Sequence, residues 1–283
     1  MTTLTPLRTS TPTEAPDRFR HLLAAEWIKL WSLRSTYWVL GTGALAVIGI
    51  NANSARTNAD RLAAQPPVPP GTPDDQAFAF DAMHTAFLDP AWQILMIVAC
   101  CVGAIAVSGE YTSGLIRTTL TSVPDRRAVV LAKIAVVSAV MTVVGAVVAG
   151  ASFGLTQALL RDHGGVSLAD SGALRAVAAS ALLAPLSALI GMALGAVVRH
   201  AAGSVVGAIV TLLLLPVLFQ GETYRWVAEI GNAMPLSAWE ALSGNYWGAG
   251  KYPVSTTEAW VVFGAWAVGS AAVAVEAVRR RDV

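Results

Sequence analysis

Six long stretches of the chain contain no Asp, Glu, Lys or Arg. They cover residues 35–55, 90–109, 134–160, 176–198, 200–221 and 259–275, with lengths of 21, 20, 27, 23, 22 and 17 residues. A helix rising about 1.5 Å per residue needs about 20 apolar residues to cross a hydrocarbon core of about 30 Å. Five stretches meet that length and the sixth lies within the tolerated range. Membrane strands would show alternating polarity over about 10 residues, and these stretches do not alternate. Backbone amides in lipid must find partners within their own segment, so the stretches read as helices. A soluble helical protein would need polar faces, and a soluble domain carries about 25% charged residues; this chain carries 13%. The predicted fold is all-α: a polytopic membrane protein with six transmembrane helices, near residues 36–54, 91–109, 132–160, 175–198, 202–220 and 258–277.

Lys and Arg concentrate in cytoplasmic loops and so set the orientation. One side holds the N-terminal Arg8, Arg18, Arg20, Lys29 and Arg34, the loop residues Arg117, Arg126, Arg127 and Lys133, then Arg199 and the C-terminal Arg279, Arg280 and Arg281. That is 13 of the 19 basic residues; the other side has 6. Both termini are therefore expected in the cytoplasm, with the chain in the cell membrane. A net charge of +1 gives no reason to expect a nucleic-acid partner. Residues 1–17, rich in Thr and Pro and without an apolar core, read as a disordered cytoplasmic tail rather than a signal peptide.

Residues 18–34 read as an amphipathic helix lying in the membrane interface before residues 35–283 form the transmembrane domain. Phe19, Leu22, Leu23, Trp27, Leu30, Trp31 and Leu33 share one broad face, with Arg18, His21, Lys29 and Ser32 opposite. Glu26 falls near the apolar side, which implies a partner: Lys29 one turn on, or another part of the protein. Pro66, Pro67, Pro69, Pro70 and Pro73 exclude regular helix from the first outer loop, and residues 77–88 are compatible with a short surface helix. The last outer segment contains two amphipathic pieces near residues 224–230 and 236–242, broken at Gly231 and Pro235. Trp226, Trp239, Tyr246, Trp247 and Tyr252 suit a membrane–water boundary. Pro185 and Pro216 are expected to kink the fourth and fifth spans, and Gly191 and Gly195 form a small-xxx-small pattern that allows close helix approach. Cys100 and Cys101 are adjacent on one helix, point in different directions and act as small apolar residues.

The absences carry as much weight. No span places an ionisable group near its middle, where ion-coupled carriers need one. Glu110, Lys133, Arg175 and Glu276 all sit at span ends. Four scattered His offer no metal-ligand spacing. Gly250–Lys251 is not a phosphate loop, since Asn245 stands where the first Gly is required and Tyr252 where Ser or Thr is required. No cofactor, metal site or ATPase motif is predicted, so any transport by this chain needs an external motor.

The loop between spans 2 and 3 is the most informative segment. Leu115, Ile116 and Leu120 would share one face of a short surface helix, with Arg117 on the polar side. Ser122 with Asp125 reads as a capping box that opens span 3, with Pro124 in its first turn. An inner loop with an exposed apolar face suits a docking site.

The pattern E-x-x-x-G-x-x-R-x-x-L-x-x-x-P-x-R-R, carried by Glu110, Gly114, Arg117, Leu120, Pro124, Arg126 and Arg127, resembles the permease subunits of type-2 ABC exporters, the ABC-2 membrane family. So do Glu26, Trp27 and Lys29 ahead of Arg34 and span 1, and the six-span topology. The resemblance implies two permeases packed as a homodimer or heterodimer in the bilayer, with two separate ABC ATP-binding subunits docked beneath. Residues 110–127, Leu115 among them, would form the coupling helix, and residues 18–34 the interfacial connecting helix. A different class remains open: a membrane anchor or sensory subunit that uses the same loop for docking and moves nothing.

Overall fold

The computed structural model describes residues 15–64, 81–115, 125–221, 223–244 and 251–280, with side chains from Phe19 onward in the first stretch. Every regular element among the described residues is helical. The helices are α1 (Ala15–Ser32), α2 (Arg34–Ala64), α3 (Ala82–Ala86), α4 (Asp89–Thr112), α5 (Arg126–Leu159), α6 (Ala173–Val198), α7 (Ala201–Leu218), α8 (Arg225–Asn232), α9 (Pro235–Ser243) and α10 (Thr256–Arg280). Six of them, α2, α4 to α7 and α10, are long and apolar enough to cross a membrane, as the charge-free stretches require.

The spans outrun those stretches where water begins. At 31 residues α2 is about 46 Å long, and it carries Arg56, Asp60 and Arg61 past the apolar limit. Helix α5, with 34 residues, is comparably long. The two are tied near their far ends by a hydrogen bond from the Asn51 amide to the Ser152 hydroxyl, 3.2 Å long and fully buried. Just beyond it, Asn58 donates to Thr85 and Gln157 to the Ala82 carbonyl, which anchors α3 against both helices. The Pro-rich residues 66–73 and the start of the predicted 77–88 helix lie outside the described residues; the helix itself covers Ala82–Ala86, capped by the Asp81 carboxylate.

The centre of the bundle is the α4–α6 pair, with α5 packed against α6. Glycine makes the contact. A Cβ on Gly103 would stand 2.0 Å from the Ala188 carbonyl oxygen, and one on Gly191 would stand 2.0 Å from that of Cys100. Gly195 meets Ala104 in the same way and Gly145 of α5 meets Ala181. The Gly191/Gly195 pattern thus serves close approach, with a reciprocal glycine on α4. By contrast α2, α7 and α10 leave most of their surface outside the bundle.

Pro185 sits inside an unbroken α6. Pro216 has a visible effect. It cannot donate to the Leu212 carbonyl, and its ring crowds that oxygen. Helix α7 widens into a π turn over Val210–Leu214 immediately before it. Beyond α7 the two expected short helices appear, and the second opens at Pro235, but the break between them is at Ala233–Met234 and not at Gly231. Gly231 is inside α8, where a Cβ would stand 2.4 Å from the Phe219 carbonyl oxygen.

Trp239 departs from its expected place at the membrane boundary. It is fully buried, its indole N–H donates to the Ser180 hydroxyl at 2.9 Å, and its ring lies 5.8 Å from that of Trp92. Trp226 is exposed, as a boundary residue should be. Tyr246 and Trp247 lie outside the described residues.

Candidate functional site

At the opposite end of the bundle from Trp239, four charged side chains from three helices converge. In α1, Leu23, Glu26 and Leu30 recur at helical spacing and turn inward, while Trp27 and Ile28 are exposed. The buried stripe of α1 therefore carries a carboxylate in its middle. Its Oε1 accepts from Lys29 Nζ at 2.7 Å, and its Oε2 accepts from Lys133 of α5. Glu110, in the last turn of α4, accepts through Oε1 from both Lys29 and Lys133, each at 2.9 Å.

Glu26, Glu110 and Lys133 are only 5%, 8% and 6% exposed; Lys29 is half-buried. A charge in such a place is tolerated only when it is paired and hydrogen-bonded. Here two carboxylates meet two ammonium groups, and the cluster is neutral. Burial by itself would lower the Lys29 pKa, but its contacts with Glu26 and Glu110 outweigh burial and hold the ammonium above its ordinary value.

The other residues singled out in the sequence fall around this cluster. Gly114 ends α4 in the left-handed region, at φ 72°, which suits a residue with no Cβ. Leu115 follows it and is exposed. Arg117, Leu120 and Pro124 lie outside the described residues. Helix α5 opens at Arg126 and Arg127, and the capping reading needs correcting. Asp125 is the N-cap, accepting from the backbone amides of Arg127 and Ala128, so Pro124 precedes the helix rather than sitting in its first turn. Trp27, inside α1, and Arg34, at the α1–α2 elbow, are both exposed. Arg199 closes α6 with φ 58°, and its guanidinium lies 4.8 Å from the centre of the Tyr111 ring beside Glu110.

The sequence puts Glu110 at the end of the second span, where the 110–127 loop begins. It is in the helix, buried, and serves as a joint between α4, α1 and α5. In the sequence Lys133 counts as a basic residue at a span end. Its signal was present: with α5 beginning at Arg126, Lys133 lies two turns inside an otherwise apolar helix and so needs a carboxylate partner.

The sequence matches the model of a family described as ABC-2 family transporter proteins over residues 36–279. The chain belongs to the ABC-2 transporter family. No curated protein sequence matches it. As an ABC-2 permease it is a multi-pass membrane protein and the membrane component of an ABC transporter, and permeases of this family work with ATP-binding subunits. The six spans fall almost wholly within the matched region, as do Glu110 and Lys133 of the charge cluster; α1, with Glu26 and Lys29, precedes it.

Proposed function

We propose that the chain is the membrane half of an ATP-driven exporter, oriented with α1 and the residue 110–127 loop in the cytoplasm. Two copies, or one copy and a paralogue, would form the conduit, and two ATP-binding subunits would dock on the 110–127 loops. The 13-to-6 basic asymmetry supports this orientation. The observation that carries the coupling role is the cluster of Glu26, Lys29, Glu110 and Lys133. It ties α1, which precedes the first span, to the two helices that flank the loop. Force applied to the loop by closure of the motor reaches α4 through Glu110 and α5 through Lys133, and passes to α1 through Glu26. The interfacial helix then moves with the coupling loop instead of independently of it.

The test is reconstitution with the ATP-binding subunit encoded nearby, followed by measurement of ATP-dependent efflux from vesicles. Charge reversal at Arg117 or Arg126 should uncouple ATP hydrolysis from flux while leaving membrane insertion intact. Failure of the chain to associate with any such subunit would defeat the proposal. Association without flux across several substrate classes would favour the anchor reading.

A further inference from the structure

The charge cluster forms one end of an open-sided cavity of about 480 Å³ lined by α1, α2, α4 and α5. Its volume falls within the range of about 300–1,000 Å³ common to small-molecule sites. The walls are hydrocarbon: Val39 from α2, Val102 and Ile105 from α4, Val136 and Val137 from α5. Along α4 the lining runs from Cys101 to Ser113. The nine helical rises from Cys101 to Glu110 alone give a depth of about 13 Å, close to one leaflet of a hydrocarbon core about 30 Å thick. Val39 and Ile105 remain exposed along this slot although both belong to spans.

The mouth is polar. Lys29, Ser32, Ser35 and Ser113 line it there, together with Glu26, Glu110 and Lys133, whose two carboxylates are already paired with the two ammonium groups. Lys29 is the most exposed member of the charge cluster; its ammonium carries three hydrogens and gives two of them to carboxylates. Among the described residues the third has no partner, which leaves it open to an acceptor arriving from outside. A slot one leaflet deep, apolar within and offering an ammonium hydrogen and hydroxyls at its polar end, fits an amphiphile with an acyl chain and a head group that accepts hydrogen bonds, as a lipid phosphate does.

We propose that this cavity holds one acyl chain of a phospholipid from the leaflet on the α1 side, with the lipid phosphate on Lys29 and Ser35. The proposal rests on the membrane placement of α2, α4 and α5 and not on the exporter reading. A lipid seated here would fill the space between α1 and the bundle and hold the interfacial helix against the spans.

The test uses the full chain in phosphatidylcholine nanodiscs with two photoreactive probes. Both carry the same mid-chain diazirine; one is a phosphatidylglycerol and the other a diacylglycerol without phosphate. Peptide mapping should find adducts concentrated on Val39, Val102, Ile105 and Val136 relative to the lipid-facing Leu45, Val206 and Val261. The phospholipid probe should label the slot about tenfold more than the diacylglycerol, as expected when a hydrogen bond to a charged group is gained. Lys29→Gln should abolish that preference. Ile105→Trp, which fills the slot without touching the charges, should remove the adducts of both probes, and it carries the test if Lys29→Gln does not fold. Even labelling over the whole lipid-facing surface overturns the site. Equal labelling by the two probes overturns the phosphate assignment and points instead to a neutral hydrophobic cargo.

Discussion

The ammonium of Lys133 stands 2.9 Å from the carboxylate of Glu110, with both groups nearly excluded from solvent, at the end of a bundle whose middle holds no charge. Each is also bound to a partner shared with α1. Removing one member of such a cluster leaves a buried charge uncompensated, which costs about 3–5 kcal/mol. Lys133→Met should therefore lower the denaturation midpoint of the detergent-solubilised protein strongly. The double variant Glu110→Gln/Lys133→Met keeps the Glu26–Lys29 pair and restores neutrality, so it should regain more than half of the loss. Strictly additive effects would show that the cluster is not a unit.

The α4–α6 contact predicts a sharp contrast among glycines. Gly191→Ala places a Cβ against backbone that has no side chain to rotate away, so α4 and α6 must separate; overpacking of this kind costs about 1–3 kcal/mol. Gly41→Ala and Gly264→Ala meet open space and should be neutral or slightly stabilising, by up to about 1 kcal/mol through helix propensity. Thermal unfolding of the three variants side by side checks the ordering.

Trp239 and Ser180 form a fully buried hydrogen bond between α9 and α6. Ser180→Ala leaves the indole N–H without an acceptor and should cost about 1–3 kcal/mol. Trp239→Phe loses the same bond, and the double variant should cost clearly less than the sum of the two. Proteolytic susceptibility of the α8–α9 region is a second readout and should rise only modestly, because Arg175, which donates to the Leu242 carbonyl, remains to hold α9 in place.

Glu240, on α9, predicts a pH dependence. Burial, reinforced by the neighbouring Asp89 charge, pushes its carboxyl up to about 7 from an ordinary value near 4.5. The folded protein therefore holds a proton that the unfolded chain has already released, so this group's stabilising contribution is full below about pH 4.5 and is lost as pH rises toward 7. Glu240→Gln should stabilise the protein by about 1–3 kcal/mol at pH 8 and flatten the stability profile between those values. Asp89→Asn should shift the profile toward lower pH. An unchanged profile in both variants would show that Glu240 is solvated.

The spans were legible in the sequence because hydrocarbon excludes ionised side chains whatever the tertiary arrangement. Their ends were less so: α2 continues past Arg56 and Arg61 because helix remains favourable once the chain meets water, and charge-free length is silent on that. The convergence of Glu26, Lys29, Glu110 and Lys133 was half visible. Glu26 on the apolar side of α1 announced a missing partner, but the meeting of α1, α4 and α5 depends on how the glycines of α4, α5 and α6 let those helices nest. Trp239 was misplaced because an indole at a membrane boundary and one buried against a hydroxyl have the same sequence signature; Ser180, 59 residues away, makes the difference.

The glycine contacts of α4 with α6 have a mechanical consequence. Where backbone touches backbone, no rotamer is available to absorb a small displacement, and packed interiors of low compressibility pass strain on. Glu110 sits at the end of that stiff strut. A push delivered there would travel the length of α4 and α6 as along a rod and emerge near Trp92 and Trp239 on the far face. The looser helices α2, α7 and α10, held mainly at their edges, would supply the give.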